Sequence, residues 1–483
     1  MKRFLTMCAT GALVVGGSVL AAQPAHAATP PSYAVMLLQP VGGLPNSHAS
    51  GINARGDVVG SSEPTGLTID GGGHATLWKS RTGHGTAFAP QFPASQQLDV
   101  AGDGTIVGNW AVGQPSTFWY ADGTGTAIQH EGAYSRVGQI SETGKAVFTV
   151  YATSSQVFTV TSPTALTALP DPAGSTSPSG VGISDDGRHV VGTAQAGSAT
   201  VPALWTDGVG KLLALPTGAT AAHLASVNDA GTSSGCATIG GVQNAFRFTA
   251  AGAATKLPAL AGFPSACANA INNSGALAGT SSTANHADSR AVVWVDGVVH
   301  DLNAFAAQRA GYTLTSVNGI NASGQIVGSA RLADGTYRGF IATPSTAETI
   351  YTAPGYHRFN GRDWKTACEP YSQTTRCRTE IVATQVQYKN GSYSRVTDWA
   401  FNNLTYTPSP RSLWARNPLG NTGEWTADDG RKWRTECDTP TTGKNGCRSY
   451  VFARVADATP KPGGGYTYTV ESMWVFNNIV KFS

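Results

Sequence analysis

Paired carboxylates are the first residues that could do chemistry. Asp185-Asp186 and Asp428-Asp429 have the make-up of an acid/base pair or a Ca²⁺ site. Each pair abuts a glycine in a turn-like stretch, so both read as solvated turn acids, as do Asp103 and Asp229. A sugar-cleaving pair needs two carboxyls about 5–10 Å apart across a cleft, and chain spacing alone does not set that distance. His48, His74, His84, His130, His189, His223, His286, His300 and His357 are scattered without metal-ligand spacing. Neither His-Glu-x-x-His nor a phosphate-cradling Gly-x-x-x-x-Gly-Lys-Ser/Thr occurs. The expectation is therefore no catalytic residue, no cofactor site and no metal site. Aromatic residues point to binding instead. Trp414 and Trp425, near Arg411 and Arg416, are the candidate ligand contacts, an exposed platform that would stack on a sugar ring.

The elements that must position these residues are repeats. A hairpin recurs seven times: an apolar residue, Asn, Ser or Asp (Ala101 in the second copy), two turn residues, Gly, then an apolar run often closed by Gly. Its central glycines are Gly56, Gly104, Gly144, Gly187, Gly231, Gly275 and Gly324, spaced 40 to 49 residues apart. The Asn or Ser side chain bonds its own backbone to open the turn, and Gly supplies the left-handed conformation. An aromatic strand follows, as in Ala203-Leu204-Trp205 and Val292-Val293-Trp294, and then a Leu-rich stretch. Trp78, Trp119, Trp205 and Trp294 hold equivalent places and read as inter-unit core. Four short strands in about 45 residues make one propeller blade. The chain enters mid-unit. Tyr33–Leu38 looks like the Leu-rich strand that normally comes last, and the final unit stops near Ala342 without one. An early strand can thus complete the last blade, an offset that an open β-solenoid would not need.

The Ile-Asn-x-x-Gly-x-Val-Val-Gly hairpin, followed by Ala/Val-Leu-Trp-x-x-Gly and a Leu-rich strand, resembles the HAF repeat of bacterial extracellular proteins over roughly residues 33–342. The namesake triplet is degenerate, surviving as His74-Ala75-Thr76 and Ala245-Phe246. The resemblance implies a secreted repeat protein and no particular reaction.

Residues 343–354 read as a linker, and 355–483 as a different, duplicated unit (copies about 355–407 and 413–483). Gly361–Cys368 matches Gly430–Cys437, Cys377-Arg378 matches Cys447-Arg448, and Trp399–Leu404 matches Trp474–Ile479. Disulfides Cys368–Cys377 and Cys437–Cys447 are expected, one per copy, each worth roughly 2–3 kcal/mol through loop closure. Cys236 and Cys267 sit on strands of successive hairpins and form either a third disulfide or two buried thiols. The tail is loosely similar to C-terminal segments of secreted actinobacterial proteins.

Composition bounds the rest. Of 483 residues, 58 are Gly and 13% are charged, a turn-rich and weakly charged make-up. Residues 28–350 carry 13 Lys/Arg against 18 Asp/Glu, and 351–483 carry 17 against 11. Residues 1–27 read as a signal peptide: Lys2 and Arg3, a short apolar run, then Ala25-His26-Ala27. Six cysteines then remain, an even number that favours disulfides outside the cytosol.

The expected fold is all-β: a seven-bladed β-propeller plus a small duplicated disulfide-bearing all-β module. The expected function is a secreted, monomeric, non-catalytic binding protein whose tail attaches to cell-wall or extracellular polysaccharide. The alternatives are a propeller glycan hydrolase or lyase, and a scaffold that binds another secreted protein. Nucleic acid and a membrane span are not expected.

Overall fold

The computed structural model describes residues 32–65, 73–79, 83–92, 98–109, 116–120, 123–130, 134–305, 311–345 and 349–483. The expected signal peptide, and Thr346, Ala347 and Glu348 of the expected linker, lie outside them.

The protein is all-β and contains a β-propeller. Six four-stranded antiparallel sheets follow one another along the chain. Their innermost strands are Asn46–Ile52, Leu98–Val100, Tyr134–Ile140, Thr176–Ile183, Ala219–Val227 and Ser265–Ile271. Each blade builds outward from there, and the Asn/Ser-x-x-Gly turn joins its first two strands.

Where a glycine closes the hairpin it has a steric cause; in the third repeat Phe148 stands in its place. At Gly328 a Cβ would lie 1.9 Å from the Ser316 carbonyl oxygen, and at Gly192 1.8 Å from that of Ser179. In both places the innermost strand presses its backbone onto the second strand beside a register shift. Only a residue without a side chain permits that approach.

Buried side chains fill the seams between blades. Val191, Leu204 and Leu213 of the fourth blade pack with Leu224, Phe246 and Phe248 of the fifth. The repeat tryptophans are in these seams, each at most 4% exposed. Trp205 Nε1 donates to the Pro170 carbonyl and Trp294 Nε1 to that of Pro258, both 2.8 Å. Each indole thus ties down the connection that enters its own blade.

The hairpin asparagines do two jobs. Asn321 Oδ1 accepts from the Ser323 and Gln325 amides and so shapes its turn. Its Nδ2 donates 2.9 Å to the Asn53 carbonyl, from the last repeat to the first. Asn228 reaches Asn272, and Asn272 reaches Asn321, in the same way. The turns are thereby linked around the channel.

Among the described residues the expected seventh separate blade is not found. Tyr312–Ile320, Ile326–Leu332 and Tyr337–Ser345 form one end of a twelve-stranded sheet. Ser32–Leu38 pairs antiparallel with Tyr337–Ser345, from Ser32↔Ser345 to Leu38↔Gly339. Leu38, Val327 and Ile341 pack against Ile52, Val58 and Trp78 of the first blade. On the other side, Leu314, Val317 and Ile326 pack against Ala278, Ala291 and Val293 of the sixth. The sheet does not stop at four strands because Ser32–Leu38 presents an unpaired edge. Gly355–Phe359 takes it, with Ala34↔His357 and Val35↔Tyr356 in register. Thr343–Ser345, the start of the expected linker, are strand residues.

The tail continues this sheet and is not a separate module. Its first copy adds Gly355–Phe359, Arg362–Tyr371, Thr374–Lys389 and Ser392–Ser409. The second copy joins through Tyr466–Phe482, parallel to Ser392–Ser409, followed by Gly446–Pro460, Lys432–Cys437 and Gly423–Thr426. The copies therefore run outward in mirrored order from a central parallel pair. Three disulfides are present: Cys236–Cys267, Cys368–Cys377 and Cys437–Cys447. Where tail meets propeller, His357 is fully buried between Ser345 Oγ and the Ala353 carbonyl. Burial lowers its pKa to about 4.

Replacing Asn321 with Ala removes the ring contact and leaves two turn amides without their acceptor. Asn321→Ala is expected to lose roughly 1–3 kcal/mol, read as a lower midpoint in urea unfolding. An unchanged midpoint would show that the turn-to-turn link is not structural.

Candidate functional site

The innermost strands of the six blades, together with Tyr312–Ile320, surround a channel whose two ends differ. The end near the hairpin turns is a narrow space of about 90 Å³, lined by Asp99, Glu142 and Asp185 among the apolar ends of the strands. The other end opens into a polar funnel of about 640 Å³, lined by His48, Asn109, Tyr134, Arg136, Asn269 and Asn318 among others.

The narrow end gathers carboxylates from different repeats. Asp99 is enclosed against Gly51, and its Oδ2 accepts from the Ile140 amide at 3.0 Å. Burial pushes its pKa up to about 7 despite the amide bonds, with Glu142 and Asp185 adding to the rise. Glu142 Oε1 accepts from the Ala54 amide at 2.7 Å, and burial also raises its pKa. Asp185 is raised by burial and by Asp229 and Asp186. Asn273 Nδ2 donates to both Asp185 and Asp229. Asp185 is therefore more than a solvated turn acid. Asp186 does keep that role, its pKa lowered by the Ser184 hydroxyl and the Arg188 amide against the opposing effect of burial. Asp429 likewise sits in an exposed turn, held low by Arg431.

Nothing local in the chain marks the narrow-end group, because Asp99, Glu142 and Asp185 each belong to a different repeat. Asp99 and Glu142 meet acids of other repeats only when the ring forms. Both carboxylates are also engaged by backbone amides of other blades, so they stitch this end of the channel together.

The funnel depends on the residue that follows the closing glycine. Asn109 reaches into the next blade, accepting from the Val137 amide and donating to its carbonyl. Ser329 Oγ lies 3.1 Å from His48 Nδ1, and Cys236 is bonded to Cys267. His48 Nε2 faces Glu63 at 3.8 Å, and Ser61 donates to the same carboxylate. Burial lowers the His48 pKa, with Glu63 opposing. Tyr337 lies beside His48, ring centroids 5.5 Å apart, and Tyr134 is 40% exposed. The funnel thus presents mostly uncharged hydrogen-bonding groups and the Arg136 guanidinium, with aromatic rings nearby.

One nucleophile-like string is also present. Gly231-Thr232-Ser233-Ser234-Gly235 has the Gly-x-Ser-x-Gly form. It runs from a hairpin turn into the strand Ser233–Ile239, with both serines buried. The strand-to-helix elbow that would expose a nucleophile is missing there.

In the tail, the structure revises the expected aromatic platform. Trp414 is only 6% exposed and packs edge-on against Tyr406, with Nε1 donating to Ser409 Oγ. It still lines a cleft of about 320 Å³ with Tyr371, Leu413 and Asn417. Trp425 is half-buried and stacked on Trp433 at 5.4 Å and 8°. Arg411 is engaged by Asp438 at 2.8 Å and lies over the Phe482 ring. Arg416 is exposed.

No protein-family model matches the chain, and no curated protein does. Solved structures do. The likeness is one of fold alone. Virginiamycin B lyase from Staphylococcus aureus is 13% identical, covering 64% of this chain and 99% of its own, with a TM-score of 0.44. A streptogramin B lyase is 14% identical over 65% and 98%, TM-score 0.44. A puromycin-hydrolyzing peptidase of Mycobacterium tuberculosis is 13% identical over 72% and 61%, TM-score 0.43.

Asp99 gives a signed pH prediction. Its folded pKa, about 7, lies above the ordinary carboxyl value of 3.8. Its stabilising protonated form is fully present below about pH 4 and is lost as pH rises through about 7. Asp99→Asn should therefore gain stability over wild type progressively between pH 4 and 8. The difference between the two proteins is the readout, because His357, with its lowered pKa, loses stability as pH falls across the same window. A constant difference would contradict the enclosed carboxyl.

Proposed function

We propose that the protein is an exported, non-catalytic binding protein that holds a polyhydroxylated ligand in the funnel of its propeller. In this reading Tyr312–Ser345 and Ser32–Leu38 act as a seventh blade, the repeats are of the HAF type, and the tail attaches to cell-wall or extracellular glycan. The observation that carries it is the funnel lining. Asn, Ser, His and Arg side chains converge there with tyrosine rings nearby. Such donors and acceptors, all uncharged except Arg136, match hydroxyl groups, and an aromatic face matches a sugar's apolar face. Three disulfides favour an oxidising compartment. Among the described residues no helix is long and apolar enough to cross a membrane. Cation–π contacts such as Arg395 over Tyr466, with 17 Lys/Arg against 11 Asp/Glu over residues 351–483, give the tail a basic, aromatic character suited to an anionic wall polymer.

A second reading, a glycan hydrolase or lyase, is favoured by the raised pKa of Asp99, Glu142 and Asp185 within one space. Perturbed carboxyls in a concave site are the usual mark of acid/base chemistry.

Retention of the full-length protein on peptidoglycan and on insoluble glycans tests both. The binding reading expects retention without release of soluble sugar. It also expects affinity to fall about tenfold, ~1.4 kcal/mol, in the double variant Tyr134→Ala/Tyr337→Ala. Sugar release that Asp99→Asn abolishes would establish the enzyme reading instead. Retention on none of the polymers would remove the glycan claim.

A further inference from the structure

We propose that His223, Cys236 and Cys267 form, when the two cysteines are thiols, a Cys₂His site for a thiophilic divalent cation of the zinc class. The site lies on the seam between the fifth and sixth blades and goes beyond the glycan-binding reading. Cys236 lies on the second strand of the fifth blade, directly opposite His223 on the innermost strand. Cys267 lies on the innermost strand of the sixth. All three residues stand on paired strands, so their backbones are held by the sheets while the thiol side chains can turn about χ1.

The distances from the imidazole suit a metal, and the two sulfurs, bonded to each other here, move apart on reduction. His223 Nε2 is 3.4 Å from Cys236 Sγ and 3.9 Å from Cys267 Sγ. A tetrahedral zinc, with Zn–S near 2.3 Å and Zn–N near 2.0–2.1 Å, holds its ligand atoms about 3.5–3.8 Å apart. The imidazole thus already stands at ligand distance from both sulfurs. Among the described residues, no other three His, Cys, Asp or Glu side chains come this close together. The equivalent contact at the closing seam is an ordinary Ser329–His48 hydrogen bond, so a sulfur pair is not needed to join blades. His223 is solvent-exposed, which leaves the fourth coordination position open to water.

The chemistry balances with an external dithiol. The dithiol gives two electrons and two protons to the Cys236–Cys267 disulfide and becomes a disulfide itself. The two thiols then release two protons as they bind the dication, and neutral His223 supplies the third ligand. Oxidation closes the same seam covalently, so the disulfide and the metal exclude each other.

Full-length protein, reduced with a water-soluble phosphine and held without oxygen, is titrated with Co²⁺. The expected result is a thiolate-to-cobalt charge-transfer band from one tight equivalent. That equivalent is lost in Cys267→Ser and weakened at least tenfold in His223→Ala, with sheet content checked by circular dichroism. X-ray absorption of the zinc-loaded wild type, which needs no variant, should report two sulfur ligands and one imidazole nitrogen. A His223→Ala protein that binds as tightly as wild type, or a zinc shell without imidazole, overturns the proposal.

Discussion

A ring of sheets must close, and here closure joins the two ends of the repeat array. Every other seam joins blades adjacent in sequence. This one brings together residues about three hundred positions apart, at a loop-closure cost that grows only slowly with length. Three interactions hold it. Ser32–Leu38 completes the ladder of Tyr337–Ser345. Ile52, Val58 and Trp78 pack on Val327 and Ile341. Asn321 donates to the Asn53 carbonyl. Without them the first and last sheets would expose apolar faces, and the channel would have no wall between them.

The channel's chemistry follows from that constraint. The turns at one end are cross-linked by side chains from other repeats, and the carboxylates among them are engaged by backbone amides. The opposite end is also linked across blades, by Asn109, Asn269, Asn318 and the Cys236–Cys267 disulfide, yet it opens wider. The greater width is what favours the funnel as the proposed ligand site. The narrow end is a place where charge is costly, as the raised carboxyl of Asp99 records.

Much of this was legible in the residues. The Asn-x-x-Gly turns, the closing glycines and the displaced strand at Tyr33–Leu38 led to a propeller with an early closing strand, because each feature is local or depends on order alone. The buried repeat tryptophans followed from their equivalent places. What the sequence did not disclose depends on through-space neighbours. Nothing near Asp99 or Glu142 says that they meet at one channel mouth, and Asp185 looked like any turn acid. The tail read as independent because its pattern changes at residue 355. The unpaired edge of Ser32–Leu38, which draws Gly355–Phe359 into the same sheet, exists only once the ring has closed. Trp414 read as exposed because it lies between the copies, yet Tyr406 and Phe482 enclose it.

Amide hydrogen exchange on the intact protein tests closure most directly. If the leading strand is the lock, the amides of Ser32–Leu38 and of Tyr337–Ser345 that bond each other exchange together, and only through opening as rare as that of the blade cores. Exchange of Ser32–Leu38 many times faster than the core, with the blades still protected, would mean that the ring stands without it and would contradict the account.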